Sequence, residues 1–225
     1  MTVDIKICGL KTEAAAEAAL AGGATHVGFI FFEKSPRHIT LADAARLREI
    51  ARGKAKAVAV TVDADDATLD AIVSAMSPDM LQLHGSETPE RVAEVKARHG
   101  LPVMKAFSVS EAADLAKVAP YRSVADRFLF DAKPPKGSDL PGGNGVAFDW
   151  QLLATLDPGL DYMLSGGLNA GNIGDALRQA TPPGIDISSG VESAPGVKDP
   201  ALIAEFFAAV RAARAGVPAL KELTS

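Results

Sequence analysis

The feature that most constrains this chain is a rhythm. Eight short runs rich in β-branched and other apolar residues alternate with longer, often alanine-rich segments of helical period: Asp4–Cys8, His26–Phe31, Ala57–Val62, Met80–Leu83, Val103–Phe107, Phe128–Asp131, Tyr162–Ser165 and Ile185–Ser188. Strands that are apolar on both faces must be covered on both faces. When helices lie between them, the sheet is parallel. The helical segments carry their own punctuation. Thr12, Thr40 and Thr88 stand where N-caps belong before Thr12–Ala21, Leu41–Arg52 and Pro89–His99, and Pro89 suits a first helical turn. Asp66–Met76 and Ala201–Ala215 read as further helices, and Gly22, Gly53 and Gly100 fall where helices should stop.

Eight such units leave two choices, a closed barrel or an open doubly wound sheet. The open sheet expects G-x-G-x-x-G after its first strand, whereas this chain has Ile7-Cys8-Gly9-Leu10-Lys11-Thr12. Its glycines gather after strands seven and eight instead. We therefore expect an α/β fold, a (β/α)8 TIM barrel, with residues 1–225 as one domain. Aromatic residues make up 5% of the chain, so Ala, Val, Leu and Ile must build most of the core. One segment breaks the rhythm. Lys133–Ala147 has three prolines and four glycines, and a loop of that length inside a compact domain is usually a lid or binding loop.

Charge and composition narrow the partners. The net charge is −5 with no basic block, which argues against a nucleic-acid surface. No signal-like start and no apolar stretch of ~20 residues is visible, so no membrane partner and a cytoplasmic location are expected. The single cysteine excludes an internal disulfide, and with His26, His38 and His99 scattered, no metal site is expected.

In a barrel the chemistry sits at the C-terminal strand ends. Strand seven ends in Ser165-Gly166-Gly167-Leu168-Asn169, and strand eight in Ser188-Ser189-Gly190-Val191-Glu192. Glycines there let backbone N–H groups approach an anion, so Gly166, Gly167, Ser189 and Gly190 are read as a phosphate site. Cys8 ends strand one between Lys6 and Lys11. It is either a small buried hydrophobe or, if a positive charge lies close enough to lower its pKa, a base or nucleophile. Asp131 follows three apolar residues, so desolvation would favour its protonated form, an acid; alternatively it caps the next loop. Arg37, just after strand two, offers a fork for a carboxylate or phosphate, or is a solvated surface residue. Alternation turns Gln82 and His84 to one side of strand four, where His84 is either a ligand contact or a strand-end hydrogen-bonding group.

The set resembles the phosphoribosylanthranilate isomerase family of tryptophan biosynthesis. The matching pieces are Lys6-Ile7-Cys8-Gly9-Leu10, Ser35-Pro36-Arg37, Gln82-Leu83-His84-Gly85, Phe130-Asp131, Gly142-Gly143-Asn144-Gly145 with Phe148-Asp149-Trp150, Ser165-Gly166-Gly167-Leu168, Asp186-Ile187-Ser188-Ser189-Gly190-Val191-Glu192 and Pro195-Gly196-Val197-Lys198-Asp199. Asn144 departs from the family's usual Ser or Thr in the strand-six loop. The resemblance implies an Amadori rearrangement of a phosphorylated small-molecule substrate, without cofactor, in a monomer or homodimer. By the same resemblance Cys8 is the general base and Asp131 the general acid. Arg37 holds the anthranilate carboxylate, and Gln82, His84 and Asp186 are further substrate contacts, Asp186 touching sugar hydroxyls or steering the base.

Other barrels fit less well. A pentose-phosphate epimerase expects a metal-binding histidine set, and an indole-glycerol-phosphate synthase expects a Lys–Glu pair where Cys8 stands. A non-catalytic phosphosugar-binding barrel would have no need of Cys8 and Asp131 together. A dual-substrate isomerase that also serves histidine biosynthesis would carry an aspartate at position 8.

Overall fold

A computed structural model describes residues 3–133 and 148–215. Eight strands, β1 (Asp4–Cys8), β2 (His26–Phe31), β3 (Lys56–Thr61), β4 (Met80–Leu83), β5 (Val103–Val109), β6 (Arg127–Ala132), β7 (Tyr162–Leu164) and β8 (Gly184–Ile187), form a closed barrel. Each pairs in parallel with its successor, and β8 returns to β1 with Lys6 opposite Asp186. Among the described residues seven α-helices surround them: α1 (Glu13–Gly22), α2 (Leu41–Ala51), α3 (Asp66–Met76), α4 (Pro89–His99), α5 (Ala112–Ala116), α6 (Ile173–Ala180) and α7 (Pro200–Ala215). The expected barrel is therefore the observed one. No helix among the described residues is long and apolar enough to cross a membrane.

Local chemistry explains most helix ends. The hydroxyls of Thr12, Thr40 and Thr88 accept from backbone N–H groups three residues on, satisfying donors that a first turn leaves unpaired. Between β6 and β7 the pattern differs from expectation. A 3₁₀ segment, Trp150–Thr155, stands there, docked through buried Trp150 and Leu153. After β8 the chain forms a small antiparallel hairpin, β9 (Glu192–Ala194) with β10 (Val197–Lys198), which the strand pattern did not reveal. All of the Lys133–Ala147 loop but Lys133, and with it Asn144, lies outside the described residues.

The stop of α1 is a correction. Gly22 is its last helical residue, and Gly23, at φ 101°, is the left-handed cap. Gly22 is small for a packing reason: a Cβ there would collide with the ring of buried Phe207 on α7. Gly22→Ala should therefore cost about 1–3 kcal/mol by overpacking. Urea denaturation is expected to show the lower midpoint while turnover at the distant barrel mouth stays normal; an unchanged midpoint would mean that Phe207 moves freely.

Alternation sorts the strand side chains into two cores. Ile5, Ile7, Val27, Phe29, Leu81, Leu83, Phe128, Phe130, Ile185 and Ile187 face the helices. Cys8, Val58, Val60, Met80, Met104, Ala106, Leu129 and Met163 fill the barrel interior. The N-terminal end of the barrel is closed by charge. Buried Arg127 bridges Asp4 at 2.8 Å and Asp161 at 3.0 Å, and His26 lies beside them with Nδ1 2.8 Å from the Thr25 hydroxyl. Burial, outweighing the pull of Asp4, lowers the His26 pKa from 6.5 to about 4. The unfolded chain thus binds a proton there that the folded chain refuses. Stability contributed by neutral His26 is full above 6.5 and declines as pH falls toward about 4. Denaturant titrations across that interval are expected to show a flatter pH dependence in His26→Gln; parallel curves would remove His26 as a source of acid sensitivity.

Candidate active site

At the C-terminal ends of the strands the interior opens into a pocket of about 660 Å3, its open mouth included. This is the size of a small-molecule site. Because alternate residues on every strand point inward, each polar candidate enters at a strand end. Cys8, Arg37, Gln82, His84, Asp131, Gly166, Gly167, Asp186 and Ser189 all line it. Gly190 does not, although it packs against Leu168, which does. Ile30, Phe32, Val60 and Val62 give the pocket an apolar wall along β2 and β3.

Cys8 is buried, and its surroundings are polar on one side. Lys6, two residues earlier on β1 and wholly buried, donates to Asp186 Oδ1 at 2.9 Å. Asp186 Oδ2 lies 3.4 Å from the Ser165 hydroxyl. Burial pushes the Cys8 thiol above its usual value, against the pull of Lys6 and with a further push from Asp186. The expectation that a nearby cation would lower this thiol is therefore corrected in its sign: the cation is present, but desolvation outweighs it. Burial works on Lys6 in the opposite sense, and there Asp186 and Cys8 outweigh it and keep the ammonium charged.

Across the pocket, Asp131 is 3% exposed and accepts from the N–H of Ala132 at 2.9 Å. Its other oxygen lies 3.6 Å from His84 Nε2. The Gln82 amide nitrogen lies 3.3 Å from His84 Nδ1, within hydrogen-bond distance. Burial first, then the charges of Lys105 and Lys6, lower the His84 pKa from 6.5 to about 3. His84 is thus a neutral partner, able to donate or accept hydrogen bonds without adding charge to the pocket.

Arg37 is not a surface arginine. It is 4% exposed and grips Glu192 of β9 in a two-pronged ion pair, Nε–Oε1 at 2.7 Å and Nη2–Oε2 at 2.9 Å. Lys198 of β10 pairs with the same carboxylate and also donates to the Ser188 carbonyl at 3.1 Å and its hydroxyl at 3.2 Å. The Ser188 hydroxyl in turn donates to the Cys8 carbonyl at 3.2 Å. A continuous chain of polar contacts therefore runs from Arg37 to the backbone of Cys8. Burial alone would raise the Glu192 carboxyl, but Arg37 and Lys198 outweigh it and hold it below its usual value.

The glycine loops are shaped by what surrounds them. Gly166 and Gly167 have φ of 89° and 63°, and a Cβ on Gly166 would lie 2.5 Å from the Ala132 nitrogen and 3.0 Å from Asp131 Oδ1. The loop after β7 is thus pressed against the end of β6, and a side chain would push it off. A Cβ on Gly190 would collide with the Leu168 carbonyl oxygen, so this glycine lets the two late loops pack together.

The family described as N-(5'phosphoribosyl)anthranilate (PRA) isomerase has a sequence model that matches residues 5–209. The chain belongs to this family. A PRA isomerase of Mesorhizobium japonicum is 78% identical over 214 residues, covering 95% of this chain and 98% of the relative. The crystal structure of the Thermotoga maritima PRA isomerase superposes with a TM-score of 0.84 at 32% identity, covering 94% of this chain and all of that one. A further PRA isomerase structure, a complex with reduced 1-(o-carboxyphenylamino)-1-deoxyribulose 5-phosphate, gives 0.81 at 31% identity with the same two coverages.

Four side chains in and around the pocket were not candidates in the reading of single residues, Lys6 being noted only as a charge beside Cys8: Lys6, Ser165, Glu192 and Lys198. Each lies in a stretch that carries the family resemblance, but nothing in one dimension distinguishes a buried ion-pair partner from a solvated charge. Truncating Glu192 tests the chain of contacts. In Glu192→Gln two buried cations lose their shared anion, and breaking a buried pair typically costs about 3–5 kcal/mol. Thermal unfolding should show that loss, with KM rising because Arg37 is no longer held. Wild-type stability and KM together would make the Arg37–Glu192 pair incidental.

Proposed function

We propose that this chain catalyses the Amadori rearrangement of N-(5-phosphoribosyl)anthranilate to 1-(2-carboxyphenylamino)-1-deoxyribulose 5-phosphate in tryptophan biosynthesis, as one cofactor-free (β/α)8 domain in the cytoplasm. The observation that carries the reading is the meeting of Cys8 and Asp131, from non-adjacent strands β1 and β6, in one pocket with the glycine loops of β7 and β8. The family membership and the product-analogue complex of a relative point the same way.

Residue roles follow from position. The phosphate is received by backbone groups of Gly166, Gly167, Ser189 and Gly190, with Gly190 packed against Leu168 of the neighbouring loop. Arg37, held rigid by Glu192, meets the anthranilate carboxylate, and the apolar wall of Ile30, Phe32, Val60 and Val62 takes the aromatic ring. The sugar then lies between Asp131 and Cys8. Asp131 protonates the furanose oxygen, and the ring opens to the Schiff base. Cys8 removes the C2 proton, the electron pair moves into the enolamine, and tautomerisation delivers the ketone. Gln82 and neutral His84 hydrogen-bond the substrate beside the acid, and Asp186 contacts the sugar hydroxyls or steers the base. Binding both anionic ends holds the reacting carbon in place, the usual source of proximity catalysis.

The test is the fluorescence assay of freshly made phosphoribosylanthranilate. Cys8→Ala and Asp131→Asn should each reduce kcat by ~10²-fold or more, the usual worth of a general acid or base. Phosphate-analogue binding should survive in both. Near-normal turnover in either variant removes that residue from its role, and a wild-type protein that binds the analogue without turnover is the non-catalytic barrel.

A further inference from the structure

The interior of the barrel holds one group that the proposed reaction does not use. Most of the inward positions below the pocket are apolar, among them Val58, Met80, Met104, Leu129 and Met163. Lys6 occupies the equivalent position on β1 and is wholly buried. A buried ammonium is costly even when paired, and an apolar residue of similar volume is often as good or better for stability. Something other than packing therefore accounts for a lysine here. It does not line the pocket, so it does not reach substrate.

We propose that Lys6 is a positioning residue for Cys8, its ammonium held by Asp186 one inward step below the sulfur so that the thiolate form of the base is stabilised within the barrel. The proposal rests on the reading of Cys8 as the general base. Three features of the geometry carry it. The Lys6–Asp186 pair spans the β1–β8 seam at directly opposed positions, with a contact of 2.9 Å. Gly28 on β2 has no side chain, and the point where its Cβ would lie is 3.0 Å from Cys8 Sγ and 3.1 Å from Lys6 Cε. Both side chains therefore border the same space, which any larger residue on β2 would fill. Finally, Lys6 and Cys8 stand two residues apart on β1, so alternation turns both side chains to the barrel interior.

The charges around the sulfur are few and can be named. Lys6 on β1 and Lys198 on β10 favour the thiolate, while Asp186 on β8 opposes it. His84 and Asp131 line the same pocket from β4 and β6, and Arg37 packs against Gly9 beside Cys8. Burial works against the thiolate, and Lys6 is the largest force in its favour. During proton transfer the C2–H electron pair enters the enolamine and the proton goes to Sγ. Lys6 keeps its own proton throughout. It is shared between two anions while Cys8 is a thiolate and falls back on Asp186 alone when Cys8 becomes a thiol.

Cys8 is the only cysteine in the chain, so thiolate absorbance and iodoacetamide alkylation report on it alone. In Lys6→Met the midpoint of the thiol titration should rise by about one pH unit or more, with alkylation near neutral pH slowed about tenfold. The acid limb of the kcat/KM profile should move the same way. In Asp186→Asn the midpoint should fall, and a merely structural defect would not give opposite signs at two partners of one ion pair. If Lys6→Met fails to fold because it strands Asp186, the double variant Lys6→Met/Asp186→Asn replaces it, and its midpoint should lie above that of Asp186→Asn. A midpoint unmoved by loss of Lys6, in a protein whose Cys8→Ala variant is inactive, overturns this proposal and leaves the base reading intact. Normal turnover in Cys8→Ala overturns both.

Discussion

The structure depends on the seam where β8 meets β1. Seven parallel pairings could leave an open sheet; the eighth closes the ring and sets Lys6 opposite Asp186. That register places a buried cation and anion together inside the barrel, and Lys6 and the Cys8 sulfur border the same space beside Gly28. Closure also decides which residues face one another across the mouth. β1 and β6 are separated by β7 and β8 along the ring, so Cys8 and Asp131 approach a bound molecule from different sides.

The interior is divided between two demands. One sector is an ordinary apolar filling of Val, Met, Leu and Ala. The other carries Lys6, Gln82, Asp131, Ser165 and Asp186, all buried, at a desolvation cost that each offsets only through specific partners. Lys6 is paired with Asp186, Gln82 with His84, and Arg37 with Glu192. These are the places where the fold buries polar groups at a desolvation cost. The N-terminal end differs: Arg127, Asp4, Asp161 and His26 form a cluster remote from the pocket, consistent with a face that serves stability.

The hairpin after β8 links the two regions of the site. Glu192 and Lys198 stand on its two strands, so the pairing of β9 with β10 fixes both ends of the bridge between Arg37 and Ser188. The loop after β2 and the loop after β8 are thereby tied together over the Cys8 side of the pocket. Rigidity of this kind suits a reaction whose substrate carries an anion at each end.

Much of this was legible in one dimension. Apolar runs at regular spacing, threonine caps and the absence of a first-turn dinucleotide fingerprint were enough for a parallel barrel, because strand burial on both faces is a local property of composition. Cys8, Asp131, Arg37 and the late glycines could be picked out because polar or flexible residues at strand ends are conspicuous against apolar strands. What only the tertiary structure decided was partnership. Lys6 reads only as a charge flanking Cys8 until closure buries it against Asp186. Arg37 reads equally as an anion-binding fork or a solvated residue until Glu192, 155 residues away, takes hold of it. Gly22 reads as a helix stop until Phe207 is found above it. The sign of the Cys8 effect, too, depended on burial, which no count of neighbouring lysines conveys. The sequence by itself determined which residue types stand at the strand ends, through local periodicity. Which charges meet, and at what cost in desolvation, depends on contacts between distant segments and was settled only when the ring closed.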